Sequence, residues 1–538
     1  MKSKKHHLLI TVIVCAIVIA ACNESASHKP KVEKRDTTIK KTNSFSDLFF
    51  DSTALESFIQ KEHMSDTLAN EFRSFYNGRN YQFAWFFQNG LAEPTRNFWN
   101  TQNDYISYSG DSSLYSSYLQ SLLDSAATKN DSINLSDADR LQAELLFTGQ
   151  FLKYASRAYV GSKEFSPDDL QWFIPRKKIN MVSLLDSVVN NKGKNSGEYE
   201  PLNRQYKLLK DYLIKYSKIE KDSAWAPIAP DQKKFIEGDR SPAVTAIKKR
   251  LFLTGDFTQT DTSSLFTDSL QAAVKNFQNR YGMKEDGVMG GATLREMNQS
   301  VQFRIRQILI NMERMRWVPE EPKTDYLLVN IPAYKLYVYE NGKLGFNMNV
   351  VVGKEGHNTV IFTGNLKYVV FSPYWNVPTS IVRNEVVPGM KRNRNYIASH
   401  NMEITGYSGS LPIVRQKPGA KNSLGRVKFL FPNSYNIYLH DTPAKSLFNE
   451  DSRAFSHGCI RLGEPSKLAQ FLLRKDSSWT DEKIQKSMNS GKEQYVTLKN
   501  PIPVYIGYFT AFVDRKGQLN FRDDIYGHDA KMSKMMFK

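Results

Sequence analysis

The sequence predicts a multidomain α+β chain: a helical N-terminal part, a small three-helix unit, and a mostly β C-terminal domain carrying a lid-like insertion. Three observations predict it. The chain has 538 residues, too many for one hydrophobic core, with 41% hydrophobic and 24% charged residues, the balance of a globular protein. Apolar residues recur at helical spacing from about Phe45 to Met312, and beyond Pro319 the period shortens to that of strands. Residues 376–430 are long, basic and show little alternation, and a loop of that length inside a compact domain is usually functional, here a lid over a cleft.

The chain begins with Lys2, Lys4 and Lys5, then Leu8-Leu9-Ile10-Thr11-Val12-Ile13-Val14, then Ala20-Ala21 before Cys22, so residues 1–21 read as an export signal. Ile19-Ala20-Ala21-Cys22 resembles the lipobox of bacterial lipoproteins. That resemblance implies cleavage before Cys22, lipidation of its sulfur and a membrane-anchored protein in the cell envelope, facing the periplasm; the plainer alternative is a signal anchor. Residues 22–44, rich in Lys, Ser and Thr with almost no apolar residues, read as a flexible tether. Formal charge is +18, and losing the three signal lysines leaves +15, an excess suited to anionic envelope polymers or membrane. Export leaves no nucleic acid to bind. Of three cysteines, Cys15 leaves with the signal and Cys22 would carry lipid, so no disulfide framework exists and Cys459 is the one free thiol.

Residues 45–238 read as a helical scaffold, with Leu141, Leu145 and Leu152 on one helix face and Leu202, Tyr206, Leu209 and Leu213 on another. The aromatic run Tyr81-Gln82-Phe83-Ala84-Trp85-Phe86 reads as core. Residues 239–300 form a smaller unit. Val244, Ile247 and Leu251 mark its first helix, Leu270, Val274, Phe277 and Tyr281 a second capped by Thr267 or Asp268, and a third begins at Thr293 after an Asp286-Gly287 turn. The order Ala272-Ala273-Val274-Lys275-Asn276-Phe277-Gln278, Asp286-Gly287-Val288-Met289-Gly290, Thr293-Leu294, Met297-Asn298 resembles the small three-helix peptidoglycan-binding domain. Residues 301–325 read as a linker helix, amphipathic through Ile305, Ile308, Leu309 and Met312.

Residues 326–513 read as the mostly β domain. Strands are expected at 326–331 and 334–340, with Asn341-Gly342 as a two-residue hairpin turn into 344–352, then at 360–362, 366–371, 435–440 and 504–513. Lys516-Gly517 turns the chain back, so 514–538 read as a C-terminal hairpin and tail.

The chemistry concentrates in Ser456-His457-Gly458-Cys459-Ile460-Arg461 and in His440. A thiol attacks a carbonyl as thiolate, so a nucleophilic Cys459 needs a base or a cation nearby, and His440 and His457 can supply one. Alternation along 435–440 places Tyr438 and His440 on the same strand face. Successive N–H groups around Gly458 and Cys459 could point at an oxyanion. A single thiol and two histidines lack a fourth ligand, so no metal is expected.

The hexapeptide with His440 before it, together with Ser372-Pro373-Tyr374-Trp375-Asn376-Val377-Pro378 and Tyr505-Ile506-Gly507-Tyr508, resembles the YkuD-type L,D-transpeptidases, whose large members carry a helical scaffold and a peptidoglycan-binding domain. The resemblance implies a cysteine acyltransferase without cofactor. Cys459 would attack a donor tetrapeptide stem, release D-alanine and pass the acyl group to an acceptor amine in a 3→3 cross-link. His440 carries over as general base, Ser456, His457 and Gly458 as support of the oxyanion hole, and Arg461, Tyr438 and Trp375 as substrate contacts. Carbapenems should acylate the same thiol, and wall-synthesis proteins are candidate partners. The alternatives are an L,D-carboxypeptidase or cysteine endopeptidase on the same stems, or a non-catalytic wall-binding tether. The partner that orients His440 is open; on the strand pattern the Asp441 side chain points away from it.

Overall fold

The computed structural model describes residues 32–537 except 129–130, 163, 193–199, 223–224 and 259–260. The export signal, Cys22 and the start of the tether lie outside the described residues. The chain divides into two compact units: one runs up to Ala158 and takes in Lys178–Glu200, the other comprises Tyr159–Lys177 and Pro201–Lys538. The division differs from an expected boundary at 238. Residues 159–177 and 201–238, expected within the scaffold, fold with the C-terminal unit because their buried aromatic and aliphatic side chains find partners there.

The first unit is helical: α1 (Ser52–Lys61), α2 (Asp66–Gly78), α3 (Glu93–Ser109), α4 (Ser117–Ala127), α5 (Asp137–Ala155) and α6 (Met181–Asn190). Ser65, Ser116 and Ser136 accept backbone N–H groups as side-chain caps of α2, α4 and α5. The aromatic run does form core, with Phe83, Trp85 and Phe86 buried. Glu144 of α5 is buried beneath it, its two carboxyl oxygens accepting the Ala84 and Trp85 N–H groups at 2.7 and 2.9 Å. The described part of the expected tether is not free: Glu33 N–H donates to Ser74 Oγ (3.2 Å), Asp36 N–H to the Asn77 carbonyl (2.9 Å) and Arg35 Nε to Asn80 Oδ1 (2.6 Å). Polar pairing along and just beyond α2 holds a segment whose apolar side chains are only Val32 and Ile39.

The second unit opens with residues 159–177 and α7 (Arg204–Lys221), which packs along the helix at Val301–Trp317. The small three-helix region follows as α8 (Pro242–Thr254), α9 (Asp268–Arg280) and α10 (Gly291–Met297), with Ser241 and Thr267 as caps of the first two. Helix α11 (Val301–Trp317) is buried on most sides rather than along one stripe. Its charges are therefore paired: Arg304 with Glu296, Glu313 with Arg316, and Arg314 with Asp529.

A nine-stranded sheet carries the β part. Its strands are β1 (Tyr326–Asn330), β2 (Lys335–Glu340), β3 (Lys343–Gly353), β4 (Thr363–Phe371), β8 (Val427–Leu430), β9 (Leu439–His440), β10 (Ala454–Ser456), β11 (Ile460–Leu462) and β12 (Gln494–Gly507). They lie in the order β10-β3-β11-β9-β8-β4-β12-β1-β2, and β2 also pairs with β3, so the sheet closes on itself. Asn341 and Gly342 both have positive φ, 49° and 73°, as a two-residue hairpin turn of this hand requires. Three expectations differ, the first being the strand expected over 504–513, which ends at Gly507 and resumes as a separate strand over Ala511–Val513. Residues 360–362 contribute only an isolated bridge, Ile361 to Trp172, and the expected strand 435–440 is extended only at its last two residues.

The insertion is not a bare loop. Between β4 and β8 it folds as β5 (Trp375–Asn376), short helical turns including α12 (Val387–Arg392) and α13 (Tyr396–Ser399), and the hairpin β6 (Met402–Ser408) and β7 (Leu411–Gln416). Its own small core is Val377, Val382, Val386 and Val414. Beyond β12 come the hairpin β13 (Ala511–Val513) and β14 (Leu519–Phe521), then α16 (His528–Met536). Helices α14 (Pro465–Leu473) and α15 (Asp481–Met488) lie between β11 and β12.

Candidate active site

Strands β9 and β11 run parallel with Leu439 opposite Ile460 and His440 opposite Arg461. Leu439 and Ile460 are fully buried, so alternation turns Tyr438, His440, Cys459 and Arg461 to the other face. Four residue types with chemistry thus share one face because their strands are neighbours in this register.

The turn that carries Cys459 is built from within. Ser456 Oγ accepts the Gly458 N–H at 3.1 Å and donates to the Cys459 carbonyl at 2.5 Å. Gly458 has φ of +112°, where a side chain is strained, and a Cβ there would meet only ordinary contacts at 3.7 and 3.9 Å; conformation, not room, requires glycine. This geometry corrects one expectation. The Gly458 N–H is consumed inside the turn and cannot face an oxyanion, whereas the Cys459 N–H has no intramolecular acceptor among the described residues. Ser456 shapes the turn.

Cys459 is half-buried, and its Sγ lies 3.5 Å from the Asn436 carbonyl, which accepts the S–H. Burial pushes the thiol pKa up, partly offset by hydrogen bonds from Tyr438 and by the Arg461 charge. Tyr438 therefore touches the sulfur itself. Asn436 has φ of +55°, and the loop it closes is organised by Asn433, whose side chain bonds the backbone of Phe431, Tyr435 and Ile437.

His440 is 5% exposed, and its Nδ1 lies 2.5 Å from the carbonyl oxygen of Asp441. A carbonyl can only accept, so Nδ1 carries the proton and Nε2 is left with its lone pair. Burial, then the Arg461 charge, lowers the His440 pKa to about 4. The backbone of Asp441 thus orients the histidine, while its carboxylate points elsewhere: Oδ2 accepts Arg426 N–H at 2.8 Å, and Oδ1 accepts Thr442 N–H and Lys445 Nζ, both at 2.7 Å.

The remaining candidates separate. Arg461 shares the face, and its buried Nε has no partner among the described residues. His457 is exposed, its ring 4.9 Å from that of His357, and burial with the His357 and Lys354 charges lowers its pKa. Trp375 pairs with Gln416 on β7 and packs against the valine core of the insertion, so it belongs to the insertion's own structure. Three residues were not anticipated: Thr359, whose Oγ1 donates to the Gly458 carbonyl at 2.8 Å, Asn433 and Tyr526. Asn433 sits in an Asn-Ser turn signal; nothing local marks Thr359 or Tyr526.

Three family models match, each over one segment: an L,D-transpeptidase catalytic domain named YkuD at residues 324–506, a scaffold domain at 70–213, and a "putative peptidoglycan binding domain" at 240–297. Residues 324–506 are a YkuD-type L,D-transpeptidase catalytic domain. A Haemophilus influenzae protein named "putative L,D-transpeptidase" is 32% identical over 243 residues, a match covering 42% of this chain and 49% of that protein, about half the relative's length. Two solved L,D-transpeptidase structures also align, from Stackebrandtia nassauensis (18% identity, TM-score 0.23, 52% of this chain and 98% of that one) and Xylanimonas cellulosilytica (14%, 0.18, 52% and 100%). The YkuD-type domain holds both His440 and Cys459 and encloses the whole insertion, while Tyr526 lies outside it.

Proposed function

We propose that this chain is a peptidoglycan L,D-transpeptidase that works through a Cys459 acyl-enzyme. The observation that carries the reading is the placement of a neutral, backbone-oriented His440 and of Cys459 on one face of adjacent parallel strands, inside a YkuD-type domain. With the thiol pKa raised and the imidazole pKa lowered, both groups are neutral at rest. Proton transfer from Sγ to Nε2 accompanies attack on the carbonyl of the L-centre residue of a tetrapeptide stem. The Cys459 N–H faces the developing oxyanion. The C–N bond to the terminal D-alanine breaks, the departing amine takes the proton from His440, and the stem remains as a thioester. An acceptor amine then attacks, giving its proton to His440; the new amide forms, the C–S bond breaks and the proton returns to sulfur. The unpartnered Arg461 Nε suits a substrate carboxylate.

The 3→3 linkage, the lipid on Cys22, a location facing the periplasm and wall-synthesis partners belong to the same proposal, resting on the lipobox and family resemblance. Purified tetrapeptide muropeptides should be cross-linked by the protein and not by its Cys459→Ala variant; dimers made by the variant defeat the mechanism. Monomers shortened by one alanine without dimers make the enzyme a carboxypeptidase. Cys22→Ala should move the protein out of the membrane fraction. Deletion of residues 239–300 should weaken binding to sacculi.

A further inference from the structure

We infer that Tyr526, beyond the catalytic-domain match, is a positioning residue for the nucleophile turn. The inference rests on Cys459 being the nucleophile. Tyr526 Oη donates to the Gly353 carbonyl at 2.6 Å and accepts the Thr359 N–H at 3.2 Å, so one hydroxyl clips both ends of the loop 353–359. Inside that loop Thr359 Oγ1 accepts the Gly353 N–H at 2.9 Å and donates to the Gly458 carbonyl at 2.8 Å. Each hydroxyl donates once and accepts once, so both protons are committed and the network of Tyr526, Thr359 and Gly458 has one polarity.

The loop is folded tightly enough to transmit position. A Cβ on Gly353 would lie 2.1 Å from the His357 carbonyl, and Lys354 N–H is bonded to the Ser456 carbonyl at 3.0 Å. The carbonyl that Thr359 holds belongs to the peptide whose N–H is that of Cys459. A peptide is planar, so fixing the Gly458 oxygen fixes the direction of the Cys459 N–H. That N–H is the oxyanion donor of the proposed reaction.

Tyr526 is itself held. Its N–H donates to Tyr508 Oη at 2.9 Å, Tyr508 Oη donates to Asp524 Oδ1 at 2.7 Å, and the two rings stack at 5.7 Å. Asp529, three residues on, pairs with Arg314 of α11 at 2.6 Å and accepts from Thr510 Oγ1 at 2.6 Å. The C-terminal segment is therefore a fixed mount for the hydroxyl.

The test uses the full chain with Tyr526→Phe, which keeps the ring and removes only the hydroxyl. Expected are a kcat lowered about ten-fold, a KM within about two-fold of wild type, and a melting temperature lowered by only a few degrees for the lost buried hydrogen bonds, the pattern of lost transition-state positioning in a folded chain. Iodoacetamide alkylation at pH 7, read from the mass of the Cys459 peptide, should become faster, because a loosened turn relieves the burial that holds the thiol pKa up. Thr359→Val should behave alike, Thr359→Ser like wild type, and the double variant Tyr526→Phe with Thr359→Val no slower than the slower single. Wild-type kcat and alkylation in Tyr526→Phe, or losses that multiply in the double variant, overturn the inference. If the wild type cross-links nothing yet Tyr526→Phe still alkylates faster, the transpeptidase reading fails and the positioning role stands.

Discussion

His440 is where burial and chemistry meet most directly. Its folded pKa of about 4 lies below the ordinary 6.5, so the neutral imidazole that the proposed base requires is present above about pH 4. The acid limb of kcat/KM on tetrapeptide stems should therefore fall near pH 4 and not near 6.5, as a pH–rate profile will read. The stability sign follows from the same shift: a depressed folded pKa makes protonation favour the unfolded chain, so this contribution is lost as pH falls from 6.5 through about 4. Glu144 in the first unit runs the other way. Burial raises it to about 7 against the opposing hydrogen bonds from Ala84 and Trp85, so its contribution is full below pH 4.5 and lost as pH rises through about 7. Glu144→Gln sets an amide NH2 against one of those N–H groups and should cost about 1–3 kcal/mol. Urea unfolding at pH 5 and pH 7 should show that loss and a smaller difference between the two pH values. At this scale the sequence was informative about Cys459, His440 and Tyr438, because motif and alternation are local. It was silent on Thr359, a threonine in a loop whose partner is ninety-nine residues away.

Between residue and molecule stand the loops and strands that deliver the site. The two-residue strand β9 reaches its place through contacts on both sides of Asp441, and Gly425 is one of them. Gly425 has φ of +62°, and a Cβ there would lie 2.3 Å from Asp441 Cγ, against a buried carboxylate already bonded to Arg426 and Thr442. Gly425→Ala should cost about 1–3 kcal/mol by strain alone and displace the carbonyl that orients His440. Melting temperature and kcat should fall together, with the acid limb moving toward 6.5 as the histidine gains solvent. The insertion shows why elements were harder to read than residues. Its hairpin rests on a core of four valines, too few to write an alternation, and β6 has no fully buried residue along its length. The aromatic-rich loop 433–438 looked like a strand because its apolar residues alternate, but Asn433 draws the backbone into a turn.

The molecule as a whole is not partitioned as its hydrophobic periods suggest, and residues 159–177 carry the difference. They leave the first unit at Ala158 and return at Lys178, and in between they belong to the second unit. Phe165 and Trp172 bury their rings 5.3 and 5.4 Å from that of Trp317, and Trp172 also meets Phe509 at 6.1 Å. The Phe173 N–H donates to the Ile361 carbonyl at 2.7 Å, and the Phe173 ring stacks at 5.2 Å on Tyr435, next to the Asn436 carbonyl that receives the Cys459 thiol. No period inside nineteen residues announces partners 145 to 337 positions later, so helical spacing on either side absorbs them into the scaffold. A chain begun at residue 201 lacks this segment and lays Trp317 open to water. Two aromatic side chains lost from a core are worth about 3–6 kcal/mol, so residues 201–538 should melt on the order of 10 °C below residues 159–538 by calorimetry. The shorter chain should also acylate Cys459 more slowly with a carbapenem, followed by intact mass, because the loop bearing Asn436 has lost its outer support. Equal melting temperatures and equal acylation would show that the second unit is complete without the segment.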